Sequence, residues 1–380
     1  MSDAATHELR RVCWSECFGF VRVFRSFGIS IGWSKLVLAF AGILATCAGG
    51  FILDSLWPRS SQALCITVGP SRINELDKFV EPDSTRQSVE DWIKEHSKMP
   101  GSGREGMFVV FITHIRSTVN ALTVATAQLD GKRFLDTIKS GLVGLAWLVV
   151  FHWFYAVVFT IYFLAVWGIF GGAIARLAAL HAARDERIPM TEGLRFSREK
   201  LLSFMAAPLL PAGAVLLGGA VLAGGGLVGL IPGLGEIIVG ALFFLALVAG
   251  IAIALTAIGG VVGFPLMHPT IAVEGSDGFD AVSRTYAYVY QRPWHTALYY
   301  FVALLYGAIC LLFIKLIIRV ALIAVHFFVG LTLNWGTAFT QDKSTLPIPK
   351  LDALWTPPTL DWGTPMIGSF NAARLSGLSW

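Results

Sequence analysis

The chain has 380 residues, 55% of them hydrophobic and only 14% charged, with a net charge of +4 and a mean hydropathy of +0.66. A soluble domain carries about 25% charged residues, so an ordinary water-soluble globule is excluded, and the apolar residues gather in runs of the roughly 20 that cross a bilayer. There is no dense Lys/Arg block, so the positive excess fits basic loops beside membrane spans and not nucleic-acid binding.

Residues 1–35 carry Arg10, Arg11, Arg22, Arg25 and Lys35 and read as a cytoplasmic, interfacial N-terminal helix. Cys13 and Cys17 share one side of it, but two thiols do not complete a zinc site, even with His7 nearby. The first span is 36–57, stopped by Pro58. Cys47 ends "LATC", but the run continues to Leu56 and the leader is too long for a lipoprotein, so the span reads as an uncleaved anchor. Of the five cysteines only Cys65 lies in a long polar segment, which argues against a disulfide framework.

Residues 58–140 form an extracytoplasmic segment, partly helical. Within it, 107–129 alternates apolar and polar residues at helical spacing (Phe108, Phe111, Ile115, Val119, Leu122), which predicts an amphipathic helix lying on a surface. The second span falls in 141–175 and exceeds one bilayer, so it tilts or projects. A cytoplasmic connection, 176–201, follows with Arg176, Arg184, Arg187, Arg195, Arg198 and Lys200. Spans three and four occupy 202–263, joined by the breaker-rich hairpin "GGGLVGLIPGLGE" at 224–236 and ended by Pro265. Gly168/Gly172 and Gly259/Gly263 are small-xxx-small pairs suited to close helix packing in lipid.

The connection 264–295 contains "EGSDGFDAVSRTYAYVYQRPW". Asp277 suits a helix cap, with Asp280 in the first turn, and Phe279, Val282, Tyr286 and Val289 recur on one face. The segment predicts an interfacial helix anchored by Phe279, Arg284, Tyr286 and Trp294. Related leaders occur at 191–211, where Ser197–Arg198 aligns with Ser283–Arg284, and at 19–40. All three precede inside-to-outside spans and suggest a repeated unit of interfacial helix plus span. The fifth span, 296–337, carries Lys315 and Arg319 one turn apart. Either this pair lies at mid-membrane and lines an anion pathway, or it lies at the outer interface and snorkels. The tail 338–380 is Pro-rich yet aromatic, which predicts extended docking through Trp355 and Trp362, on the chain itself or on a partner.

Glu274, Gly275, Ala281, Arg284 and Thr285 make a Glu-Gly…Ala-x-x-Arg-Ser/Thr leader over about 270–295. It resembles polytopic bacterial membrane domains of the glycerophosphodiester phosphodiesterase membrane-domain type and related families of unknown function. In that family the hydrolytic chemistry belongs to a separate soluble domain, and nothing in this chain looks like that domain. The resemblance implies a helical membrane scaffold without catalysis.

The reading is therefore an all-α polytopic protein of about five transmembrane helices in a bacterial inner membrane, N-terminus cytoplasmic and C-terminus outside. Its expected partners are the lipid bilayer and other membrane subunits, met through 58–140 and 340–380, with no nucleic acid. No catalytic residue, metal or cofactor is expected, since no phosphate loop, carboxylate pair or Ser/His/Asp set stands in supporting context, and His152 and His326 read as hydrogen-bonded interior or interfacial histidines. The expected role is a non-enzymatic scaffold or assembly subunit; the alternative is a channel or transporter using Lys315 and Arg319.

Overall fold

The computed structural model describes residues 19–68, 71–99, 102–333, 337–340, 348–358 and 378–379. Cys13, Cys17 and Trp362 lie outside them. After a 3-10 turn at Gly19–Arg25, the helices are α1 (Ser26–Ser30), α2 (Trp33–Leu56), α3 (Glu75–Val80), α4 (Arg86–His96), α5 (Met107–Ala127) and α6 (Gly131–Arg184). They continue as α7 (Met190–Glu199), α8 (Leu201–Val228), α9 (Leu234–Glu274), α10 (Gly278–Gln291), α11 (Pro293–Leu333) and α12 (Lys350–Leu354). The protein is all-α and polytopic in character: six helices, α2, α5, α6, α8, α9 and α11, are long and apolar enough to cross a membrane. The one beyond the expected five is α5. Its His114, Arg116 and Asn120 mark a polar side, but its length and composition equal those of a span.

The segment 58–140, expected to be partly helical, also holds a three-stranded antiparallel sheet, ordered β2 (Ser71–Asn74), β1 (Ala63–Val68), β3 (Ser102–Glu105). Cys65 pairs with Asn74 and Gly103, and Leu64 with Arg104. "ALCITV" is a short apolar, partly β-branched run, buried from Ala63 to Ile66, as a covered strand requires. Capping boxes at Asn74–Asp77 and Thr85–Ser88 start α3 and α4.

The chain divides into two compact units. The first comprises Met1–Leu122 and Gly131–Ala303. In it α2 packs antiparallel to the second half of α6. A Cβ at Gly49 would overlap Tyr162, whose hydroxyl donates to Ala45 O at 2.5 Å, and one at Gly50 would overlap Phe108. The core under the sheet joins Ala63, Leu76, Met107, Phe108, Trp147 and Tyr155. From this level α5 runs away from α2 and back along the first half of α6, where His114 Nε2 meets Ser140 O at 3.0 Å. α6 has 54 residues, about 80 Å at 1.5 Å per residue, and bends at His152 (φ −133°, ψ 43°).

Two helices outrun their expected stops. α8 keeps Gly224–Gly226 helical, leaving the turn to Gly229–Gly233, where Gly233 takes φ +79°. α9 continues through Pro265 and Pro269 to Glu274, because an internal proline removes one ladder bond and neighbouring groups can restore the satisfaction of the freed carbonyls.

The second unit comprises Thr123–Asp130 and Leu304–Trp380. Here β4 (Thr337–Thr340) pairs antiparallel with β5 (Ile348–Pro349) and β6 (Leu378–Ser379). The sequence predicts an extended tail over 338–380, but Lys350–Leu354 makes one helical turn, starting after Pro349 where a proline does not interrupt it.

Candidate functional site

The densest polar chemistry in the described residues sits in the first unit, where α2 ends. Asp54 lies in the last turn of α2 and is buried. Its carboxylate accepts from Phe108 N (3.0 Å), Val109 N (3.3 Å) and the Tyr155 hydroxyl (2.8 Å). The two amides belong to the open first turn of α5, so a carboxylate supplies the acceptor that four orphan N–H groups need and meets the positive end of the helix dipole. Gly106 makes this approach possible, since a Cβ there would overlap the Asp54 carboxylate.

Glu75 opens α3 at 2% exposure. Oε2 accepts from Leu64 N at 3.1 Å, while Oε1 accepts from Trp147 Nε1 at 3.0 Å and contacts His152 Nε2 at 2.7 Å. This carboxylate thus ties β1 to α6 from the start of α3. The bend in α6 falls at the residue whose ring reaches it. His152 contacts protein through Nε2, and its ring lines an open cleft of about 500 Å³ with Trp57, Ser61, Trp153 and Phe154. Trp57 stacks edge-on against Tyr155 at 5.1 Å, so the two carboxylate networks share one aromatic wall. The arrangement can hold an imidazole in a fixed tautomer beside an apolar cleft. With each carboxylate oxygen of Glu75 occupied, its first effect is to lock the sheet onto the helices. Burial, and then the Glu105 carboxylate, hold the neighbouring Cys65 thiol above its ordinary pKa.

Sequence reasoning placed His152 correctly as hydrogen-bonded, but missed Asp54 and Glu75. Asp54 had a signal: a carboxylate inside "FILDSLW" is costly in an apolar helix unless it is paired.

The anchors and the charged pair singled out from sequence do not belong to these carboxylate networks. α10 is a helix with Asp277 as its N-cap, accepting from Asp280 N at 2.8 Å. Its most buried face is Gly278, Ala281, Thr285 and Val289; of the expected Phe279, Val282, Tyr286 and Val289, Val289 is buried, Val282 and Tyr286 pack half-buried against the same core, and Phe279 is exposed. The small residues admit α8 closely, a Cβ on Gly278 lying 2.9 Å from Ser203 O, and this turns Phe279 outward. Trp294 is 85% exposed. Tyr286 donates to Thr256 O at 2.7 Å, and Tyr290 to Leu255 O. Burial raises the Tyr286 pKa, which keeps it a donor. Arg284 pairs with Glu274 at 2.5 Å and Asp280 at 3.0 Å; the Asp280 hydrogen bond, above all, holds its guanidinium protonated.

The related leaders do correspond in structure, with a shifted register. Ser197 packs on Gly172, and Thr285 on Gly263, both with no exposure. α10 sits on both Gly259 and Gly263, whereas α7 sits on Gly172 and leaves Gly168 to Leu201 and Phe204 of α8, so by contact with the second glycine Ser197 matches Thr285 and not Ser283. Contact with a glycine, which the sequence alignment could not weigh, sets the equivalence.

Lys315 is half-buried and Arg319 is 4% exposed, both engaged with other residues. In the second unit Trp355 packs edge-on against His326 at 5.2 Å, and His326 Nε2 lies 3.3 Å from both Trp355 O and Asp352 Oδ1. No family model, curated protein or solved structure matches the chain.

Proposed function

We propose that this protein is a non-enzymatic integral membrane scaffold, a subunit that gathers other membrane helices at the sheet-bearing end of its first unit. One observation carries this reading. Leu135, Ile138, Leu142, Leu145 and Val149 recur at alternating steps of three and four on α6, between 37% and 60% exposed. This is the spacing of a coiled-coil seam. The stripe lies on the half of α6 that precedes the bend at His152 and extends past the end of α2, and the path of α6, about 80 Å along its bent axis, exceeds a bilayer core of roughly 30 Å. The stripe therefore stands outside the layer that α2 occupies, where lipid does not cover it and another helix would. On the same reading α5 runs beside this projecting half, so α2, α6, α8, α9 and α11 are the five spans, in a bacterial inner membrane with the N-terminus cytoplasmic. Phe279 and Trp294 then serve as interfacial anchors.

Single cysteines at Leu142 and Leu145, with Asp136 as an off-seam control, test the proposal by oxidative cross-linking in native membranes. Adducts from 142 and 145 but not 136 are expected, and their mass separates a second copy from a different subunit. If no adduct forms, the stripe does not carry an assembly role.

A further inference from the structure

A second charged pocket lies in the first unit at the opposite end of α2. Lys35 belongs to the first turn of α2 and is only 8% exposed. A buried ammonium is costly unless something of opposite charge meets it. Among the described residues no carboxylate pairs with Lys35, and the charge that acts on it is the like charge of Arg187. Lys35 and Arg187 line one cleft of about 360 Å³, together with Gly28, Gly32, Ser34 and His181. Asp185, which is exposed, lies 3.7 Å from His181 Nε2. The cleft also opens at the N-terminus of α2, where Gly32 is the N-cap and no side chain caps the first turn. The early amides of a helix point out of that end and favour an anion. Two cations, an imidazole and an uncapped helix start thus converge on a space whose lining, among the described residues, includes no acid.

We infer that the Lys35–Arg187–His181 pocket is a phosphate site that takes the headgroup of an anionic phospholipid. Lysine gives a compact point charge to one phosphate oxygen, and arginine gives a bidentate fork to two. The position favours a lipid over a free phosphate. The pocket lies where a candidate span begins, with Trp33 exposed beside it, at the depth where indoles mark a membrane interface. A basic pocket between spans is a recurrent headgroup site.

The full chain in a neutral detergent is titrated with dioctanoyl phosphatidylglycerol, dioctanoyl phosphatidylcholine and inorganic phosphate, and binding is read by native mass spectrometry and by thermal shift. Saturable binding of the glycerol lipid is expected, with weaker binding of the choline lipid, whose own cation meets Arg187. Loss of one charged hydrogen-bond donor in Lys35→Met or Arg187→Gln should weaken it about tenfold. Competition by inorganic phosphate at millimolar concentration supports the site but assigns it to a soluble phosphate. Equal affinity in the wild type and Arg187→Gln, or no saturable binding of either anion, overturns the inference. Arg187 is exposed, so its variant reads binding even where Lys35→Met disturbs folding.

Discussion

Glu75 receives three donors with two oxygens; the Leu64 amide and the Trp147 indole are buried, while the His152 ring borders the open cleft. Glu75→Ala leaves the Trp147 indole, the Leu64 amide and the His152 ring short of an acceptor. At about 1–3 kcal/mol for each buried unmade bond, the variant should lose several kcal/mol and lower the midpoint of thermal unfolding in detergent. Glu75→Gln keeps Oε1 for Trp147 and His152 but turns an amide toward Leu64 N, so its loss should be about a third as large. Equal losses in the two variants would mean that charge, not acceptor count, holds the network. Tyr155→Phe removes one of three donors to Asp54 while both α5 amides remain, and should cost only about 1 kcal/mol. Cys65 gives a pH-dependent readout. Burial, then Glu105, raises its pKa, so its thiolate fraction at pH 8 lies below that of a free thiol. Alkylation of the folded protein should be slow at pH 8, should accelerate as pH rises, and should become fast on unfolding. Rapid labelling of native protein at pH 8 would show that β1 is not covered.

At the scale of elements, the corner from α9 into α10 explains its own sequence. Gly275 ends α9 at φ +70°, a left-handed position, with its amide on Ile271 O at 2.8 Å. Arg176 donates to the neighbouring Ala272 O at 2.6 Å, and its guanidinium stands 4.5 Å over Phe196. Glu274 meets Arg284, while Ala281 and Thr285 face inward. The Glu-Gly…Ala-x-x-Arg-Thr pattern is thus a structural corner: one cap, one ion pair and two small packing residues. Gly275→Ala should cost about 1–2 kcal/mol, and Arg284→Ala should cost less because that pair is exposed. The reverse order would assign the corner to its charges. A second test concerns the two related units. A Cβ on Gly263 would lie 2.5 Å from Thr285 Cγ2, and one on Gly172 2.7 Å from Phe204 and 2.9 Å from Ser197. Alanine at either glycine should destabilise by about 1–3 kcal/mol through overpacking, and a cost at only one would argue against equivalence. The spans, α10 and its cap were legible because apolar length and capping are local properties. The sheet was not, since its three strands are short and two of them are polar. Glu75 was not, because its partners Trp147 and His152 are 72 and 77 positions away. Only tertiary contact tells this carboxylate from the exposed ones around it.

For the whole first unit, antiparallel packing of α2 on α6 brings the start of α2 and the end of α6 to one side. Leu38 there shares a small core with Ala173 and Leu177, packed by Ile188 and Leu194. Phe204 at the start of α8 meets Met267 and Ile271 near the end of α9. Lys35, Arg176, Arg184, Arg187, Arg195 and Arg198 therefore gather at one end, in short connections where positive charge governs orientation. The opposite end also carries Arg59, Arg72, Arg86 and Arg104, but within a folded sheet segment accompanied by Glu75, Asp77, Glu90 and Glu105, and longer segments translocate largely regardless of charge. We predict that the end bearing α7 and α10 faces the cytoplasm. In a chain whose native cysteines are replaced, a cysteine at Arg86 should react with a membrane-impermeant maleimide in intact cells. Cysteines at Glu192 and Asp277 should react only after permeabilisation. A cysteine in the projecting half of α6, at Lys139, should behave like that at Arg86 if α5 does not cross the membrane, and like that at Glu192 if α5 does. The Lys139 position thus separates five spans from six, and external labelling at Asp277 would reverse the orientation altogether.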